Sequence, residues 1–281
     1  MQDAFAYCAE LVRTADRDRF LSTLFAPAEH RGALHALYAF NIEVARVREV
    51  AREPLPGEIR LQWWSEVLRG ERAGEASAIP VASALLTVIE RYRLASTRLT
   101  ALIDARCFDL YDDPMARLTD LEAYASKTSS ALLALAAQIL AGGEGEVTET
   151  VGDHAGIAYA IAGLIRAFPL HAARRQLYVP LELLDRHGVE PQDIFAGQSS
   201  KNLRGVFVDL QDVARRHLLA ARQQIAKLPD AALPAFLPVA LVRPALDRLA
   251  RCDPFAPAEL SPWRRQWLIW RAARNPARIA G

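Results

Sequence analysis

Strand signals are nearly missing from this chain of 281 residues. Runs of β-branched residues alternating with polar ones hardly occur, which excludes a sheet-based core. Cysteine is scarce as well: Cys8, Cys107 and Cys252 stand far apart, are odd in number and show no Cys-x-x-Cys or Cys/His ligand spacing. That excludes a disulfide framework and a zinc module, and leaves buried or incidental thiols suited to a reducing compartment. No charge of either sign dominates, with 34 Lys and Arg against 33 Asp and Glu and a net charge of +1. Nucleic-acid binding by counterion release needs a basic excess or a dense basic face, so it is not expected. The first residues carry an acid, Asp3, and no basic segment followed by an apolar one. No secretory signal is read there, and the expectation is a cytoplasmic protein. The longest charge-free run, 128–143, has 16 residues, short of the roughly 20 that a spanning helix needs. It reads as a buried core helix.

What is present is helical periodicity: apolar residues recur at threes and fours almost everywhere, so the chain reads as all-α. Helices are expected over about 4–14, 16–25, 28–52, 58–69, 82–94, 97–111, 118–140, 149–166 and 206–228. Pro54-Leu55-Pro56-Gly57 reads as a linker, 70–77 as a polar connection, and Gly142-Gly143-Glu144-Gly145 as a helix stop. Pro169 should bend or end its helix near Ala167-Phe168, because proline donates no ladder bond and disfavours helix in the residue before it. Trp63 and Trp64 point about 100° apart on a helix, so one can line a cleft, although core is the plainer expectation for both. Near the end, Trp263, Trp267 and Trp270 fall at i, i+4 and i+7 with Arg264, Arg265, Arg271, Arg274 and Arg278 around them. Two readings stand: an aromatic face docked on the core, or peripheral membrane contact.

Asp109 and Asp113 have the D-x-x-x-D spacing in which two carboxylates one turn apart share a hard cation. Pro114 follows at once and no partner motif stands elsewhere, so a solvated helix end is the plainer reading. Glu43, Arg46 and Glu49 are i,i+3 neighbours, the pattern of weak surface ion pairs.

Several segments in order resemble the squalene/phytoene synthase family: Leu24-Phe25-Ala26-Pro27 with Arg31, Leu37-Tyr38-Ala39-Phe40, Trp63-Trp64, Asp109, Tyr124, Gly156, Arg166, and Tyr178-Val179-Pro180 leading to Gly188. The resemblance implies a single domain over 1–281, an all-α helical bundle of the class I isoprenoid-synthase type around a central apolar cavity. In active members two aspartate-rich helices hold Mg²⁺ ions on a substrate diphosphate, since hard cations with oxygen ligands stabilise the charge on the leaving group. By the same resemblance the metal positions fall here on Ala45, Glu49, Ala167 and His171, with Arg46 where an adjacent acid is usual, Arg19 where a serine is usual and Gln176 where an arginine is usual. Only Glu49 is an acid. No catalytic residue and no metal or other cofactor is expected from that set. Arg46, Arg166, Arg174 and Arg175, with Tyr178, are candidates for metal-free anion binding.

A narrower resemblance, carried by 41–49, 59–64, 128–133, 166–171 and 234–237, is to a mitochondrial branch of the family that assists assembly of respiratory complex I. It implies a non-catalytic protein acting in assembly of that complex (NADH:quinone oxidoreductase), with respiratory subunits or assembly proteins as partners, a prenyl lipid as a ligand of the old cavity, and a location peripheral to the inner membrane. The alternative is a prenyl-diphosphate transferase of isoprenoid biosynthesis with a relocated site drawn from Glu49, Asp109 and Asp113 and using Mg²⁺. A third reading is a lipid carrier with neither chemistry nor a protein client.

Overall fold

Apolar spacing at threes and fours winds most of the chain into helices, and the computed structural model describes residues 2–51, 53–143 and 149–281. No strand occurs among the described residues. Helices α1 (Gln2–Ala15), α2 (Arg17–Thr23) and α3 (Ala28–Ala45) open the chain, and a turn at Arg46 separates α3 from the short α4 (Val47–Val50). Next come α5 (Pro54–Leu68), α6 (Ala73–Ala78), α7 (Pro80–Tyr92) and α8 (Ser96–Arg106), which ends in a 3-10 turn, Cys107–Leu110. Helix α9 (Leu118–Ala125) passes through a π turn, Ser126–Ser130, into α10 (Ala131–Leu140). The rest comprises α11 (Glu149–Ala173), α12 (Leu181–His187), α13 (Pro191–Phe195), α14 (Lys201–Ile225), α15 (Leu233–Phe236), α16 (Val242–Leu249) and α17 (Pro262–Arg274).

The long helix α11 is the axis of the bundle. It packs along α14 and against α10, α16 and the π turn, while α3 lies against α1, α7 and α10. In α10, Leu132, Leu133, Leu135, Ile139 and Leu140 are each 3% exposed or less, and each such side chain contributes about 1.5–3 kcal/mol relative to exposure. The charge-free run is therefore the core helix its composition predicts. Over Gly152–Ala173, α11 is long and apolar enough to cross a membrane, but half of that stretch is buried among its neighbours. Gly156 permits the close approach of α11 to the π turn, because a Cβ there would lie 2.4 Å from the backbone of Ser130. Ser130 Oγ donates to the Asp153 carbonyl (2.9 Å) and Ser126 Oγ to the Asp153 carboxylate (2.8 Å), closing that contact with hydrogen bonds.

Several sequence expectations need correction. Pro169 does not stop its helix, which continues to Ala173. Proline removes one ladder bond, but Phe168, 3% exposed, is wedged between Phe207 (ring centroids 4.7 Å) and Phe255 (5.1 Å), and this packing keeps the backbone helical. Residues 54–57 are the first turn of α5 rather than a linker, since a proline at the start of a helix loses no bond that would have formed. Part of 70–77 is helical as α6. The helix expected over 28–52 breaks at Arg46, and its end at Arg52 lies outside the described residues, as do Glu144 and Gly145. Trp64 is core, edge-on to Phe40 at 5.1 Å, whereas Trp63 is half-buried and donates its indole N–H to Glu75 (3.0 Å).

Candidate functional site

The positions where the family resemblance puts metal-binding acids lie on two segments, which are linked through Glu49 and Arg174. Ala45 closes α3 and Glu49 follows on α4; Ala167 and His171 lie on the last turns of α11. Glu49 accepts a hydrogen bond from Arg174 Nη1 at 3.2 Å and pairs with Arg46 Nε at 3.9 Å. The one acid of the set is thus held between two guanidiniums. His171 sits with its ring 4.6 Å from that of Tyr178, and burial pushes its imidazole down to about 4, opposed by the nearby Asp109 and reinforced by Arg174. At neutral pH it is uncharged. Among the described residues no three His, Cys, Asp or Glu side chains stand close enough together to hold a metal ion. A Mg²⁺ cluster needs several oxygen ligands, and these residues do not fit one.

Of the four candidate anion-binding arginines, Arg46 and Arg174 come together, at Glu49. Arg175 takes a left-handed backbone conformation (φ 57°) and lays its guanidinium 4.8 Å over the Phe195 ring. Arg166 is exposed two turns back on α11, about 12 Å along the axis from position 174. Glu43, read as a neighbour of Arg46, pairs instead with Arg60 at 2.9 Å.

Next to it lies a largely enclosed polar cluster around Asp109, which the sequence reading placed at a solvated helix end. Asp109 is 6% exposed, and it sits on a 3-10 turn because α8 ends at Arg106. Its carboxylate accepts hydrogen bonds from Tyr178 Oη (2.7 Å), Tyr124 Oη (2.8 Å) and Arg106 Nη1 (3.1 Å), and its backbone carbonyl accepts from Gln176 Nε2 (3.0 Å). Burial first, and then the Asp109 charge, pushes the Tyr178 phenol up well beyond its ordinary range. Asp109 is therefore neither a solvated helix end nor one half of a metal pair: Asp113 lies four residues on, exposed and off the helix. The intervening Asp112 pairs with Arg48 at 2.8 Å, and Arg48 also donates to the Leu110 carbonyl (2.9 Å), tying α4 to this turn. Arg106, three residues before Asp109, was overlooked; the i,i+3 spacing was the available signal.

A cavity lined by Leu121, Ile161, Phe168, His171, Tyr178 and Phe207 has a volume of about 10 Å³, roughly enough for one water. Farther in, Arg19 is 7% exposed, with its guanidinium 5.6 Å from the Tyr38 ring and 5.2 Å from the Tyr159 ring and paired to Asp16. Burial opposes the Arg19 charge, and Asp16 with the two phenols outweighs that cost, so a guanidinium side chain occupies space between α3 and α11.

Residues 12–271 match the squalene/phytoene synthase family. The chain belongs to that family. Within it, the chain is 33% identical over 251 residues to a Rattus norvegicus protein named NADH dehydrogenase (ubiquinone) complex I, assembly factor 6, covering 89% of this chain and 75% of that one. Identity to the Homo sapiens protein of the same name is 33% over 247 residues, 88% of this chain and 74% of the relative. A 15-cis-phytoene synthase of Synechocystis is 21% identical over 259 residues, 88% of this chain and 77% of the relative. A solved dehydrosqualene synthase in complex with ligand superposes with a TM-score of 0.83 at 16% identity, covering 97% of this chain and 96% of that one. A squalene synthase from Alicyclobacillus acidocaldarius gives 0.71 at 21% identity, over 97% and 94%. These structures share the isoprenoid-synthase helical fold with this chain.

Proposed function

We propose that this squalene/phytoene synthase family member acts in the assembly of a respiratory NADH:quinone oxidoreductase and does not carry out metal-dependent prenyl transfer. The observation that carries the second half is Glu49, the one acid in four metal positions, held by Arg174 at 3.2 Å and Arg46 at 3.9 Å. A single carboxylate cannot collect hard cations around a diphosphate. The first half is supported by the similarity to assembly-factor relatives along most of both chains. Respiratory complex subunits or their assembly proteins are the partners on this reading, and the location is cytoplasmic, peripheral to the inner membrane. The cavity between Phe168 and Tyr178 measures about 10 Å³, too small for a prenyl chain without rearrangement.

A transferase site relocated to Asp109 and Asp113 has no geometric support, because Asp109 is committed to three donors. The test of the assembly reading is deletion of the gene followed by native-gel quantification of the assembled complex. The complex should fall and be restored equally by the wild type and by Glu49→Gln; an unchanged amount of complex on deletion contradicts the proposal.

A further inference from the structure

Helix α17 displays the largest aromatic exposure in the described structure: Trp263 is 82% exposed, Trp267 50% and Trp270 48%. Its opposite face is fastened down. Ile269 and Ala272 are buried at 1%, and Arg265 Nε donates to Asp18 on α2 at 2.8 Å. The helix is thus docked on the core, as one sequence reading expected, but by the face opposite to its tryptophans. Burying such side chains is favourable, so holding three of them outward marks a surface with an occupant.

The charge on this face says which occupant. α17 contains no acid, and Arg264, Arg271, Arg274 and the following Arg278 form no ion pair among the described residues. The guanidinium of Arg271 lies 4.6 Å over the Trp267 ring and that of Arg274 lies 5.2 Å over the Trp270 ring. We propose that the outer face of α17 docks on an anionic phospholipid bilayer. Indole rings favour the headgroup level, where an apolar body and a polar N–H are both accommodated. The arginines beside them meet lipid phosphate with charge-assisted hydrogen bonds and are drawn by the negative surface potential. A second copy fits the face poorly, because a two-fold contact sets the same surface against itself and so brings arginine against arginine with no acid between. The proposal stands on residues apart from the Glu49 cluster, so it and the assembly reading can fail separately.

The test is flotation of the full chain with vesicles of phosphatidylcholine alone and of phosphatidylcholine mixed with phosphatidylglycerol. Binding is expected on the mixed vesicles, with quenching of tryptophan emission by brominated lipid. Changing Arg264, Arg271 and Arg274 together to Gln should weaken partition roughly a hundredfold, and changing Trp263, Trp267 and Trp270 together to Ala should abolish both binding and the added quenching. Trp263, Arg264 and Arg274 are exposed and Arg271, Trp267 and Trp270 partly so, and circular dichroism melting of each variant should stay close to the wild type. The proposal is overturned if the wild type ignores anionic vesicles, if the tryptophan variant binds as the wild type does, or if that variant instead converts a dimer to a monomer with lipid binding unchanged.

Discussion

The cluster at Glu49 and the cluster at Asp109 lie at the same end of the bundle, joined by Arg48 and by the segment 174–178, yet one faces water and the other is sealed. At Glu49 the carboxylate and its arginines are each more than 40% exposed, so solvent screens them and the pairs contribute about 0–1 kcal/mol. At Asp109 the same chemistry, a carboxylate with an arginine, is enclosed and completed by two phenols. The difference is one of enclosure: the residues that tie helix ends together at Asp109 have several partners each, while Glu49 stands with two exposed arginines at the surface. Four outcomes separate the two clusters.

The largest effect is expected from Asp109→Ala, which leaves Arg106 buried without its carboxylate and should cost about 3–5 kcal/mol, read as a lowered midpoint in urea unfolding. A loss below about 1 kcal/mol would mean that the cluster is not structural. Next is pH. Burial pushes His171 down to about 4, and it pushes His35 down to about 4 as well, where that ring shares a hydrogen bond with Thr23 (2.9 Å). Both bind protons more readily when unfolded, so their contribution is complete above about 6.5 and is lost as pH falls toward 4, roughly 2–3 kcal/mol for each. Denaturant titrations across that window should show stability declining with acid, and replacing His171 by Asn should flatten part of the slope. Tyr178→Phe removes one of three donors to Asp109 and should cost about 1–3 kcal/mol. Glu49→Gln should change stability by no more than about 0.5 kcal/mol.

Much of the fold was legible because apolar patterns survive burial: α14 follows the spacing of threes and fours closely, and α10 is the unbroken apolar run. Prolines misled where local and tertiary preferences compete. Pro54 begins a helix, and Pro169 sits inside one held by Phe168 between two other rings. At the site, the poverty of acids could be read residue by residue, since the side chains of Ala45 and Ala167 offer no ligand atom in any fold. The fate of Asp109 could not, because its donors come from positions 106, 124 and 178, and only the packing of α8 and α9 against the 174–180 segment brings them together. The direction of the tryptophan stripe was equally open, since spacing defines a face without saying which way it points.

The most direct measurement is calorimetric titration of the purified chain with non-hydrolysable farnesyl thiodiphosphate, in the presence and absence of Mg²⁺. With Glu49 held by Arg46 and Arg174 and Asp109 enclosed by its three donors, no Mg²⁺-dependent binding is expected, and any binding seen should be the same without the metal. Saturable binding that requires Mg²⁺ and is lost in Glu49→Gln or Asp109→Asn would contradict this reading and return the chain to the enzymes of its family.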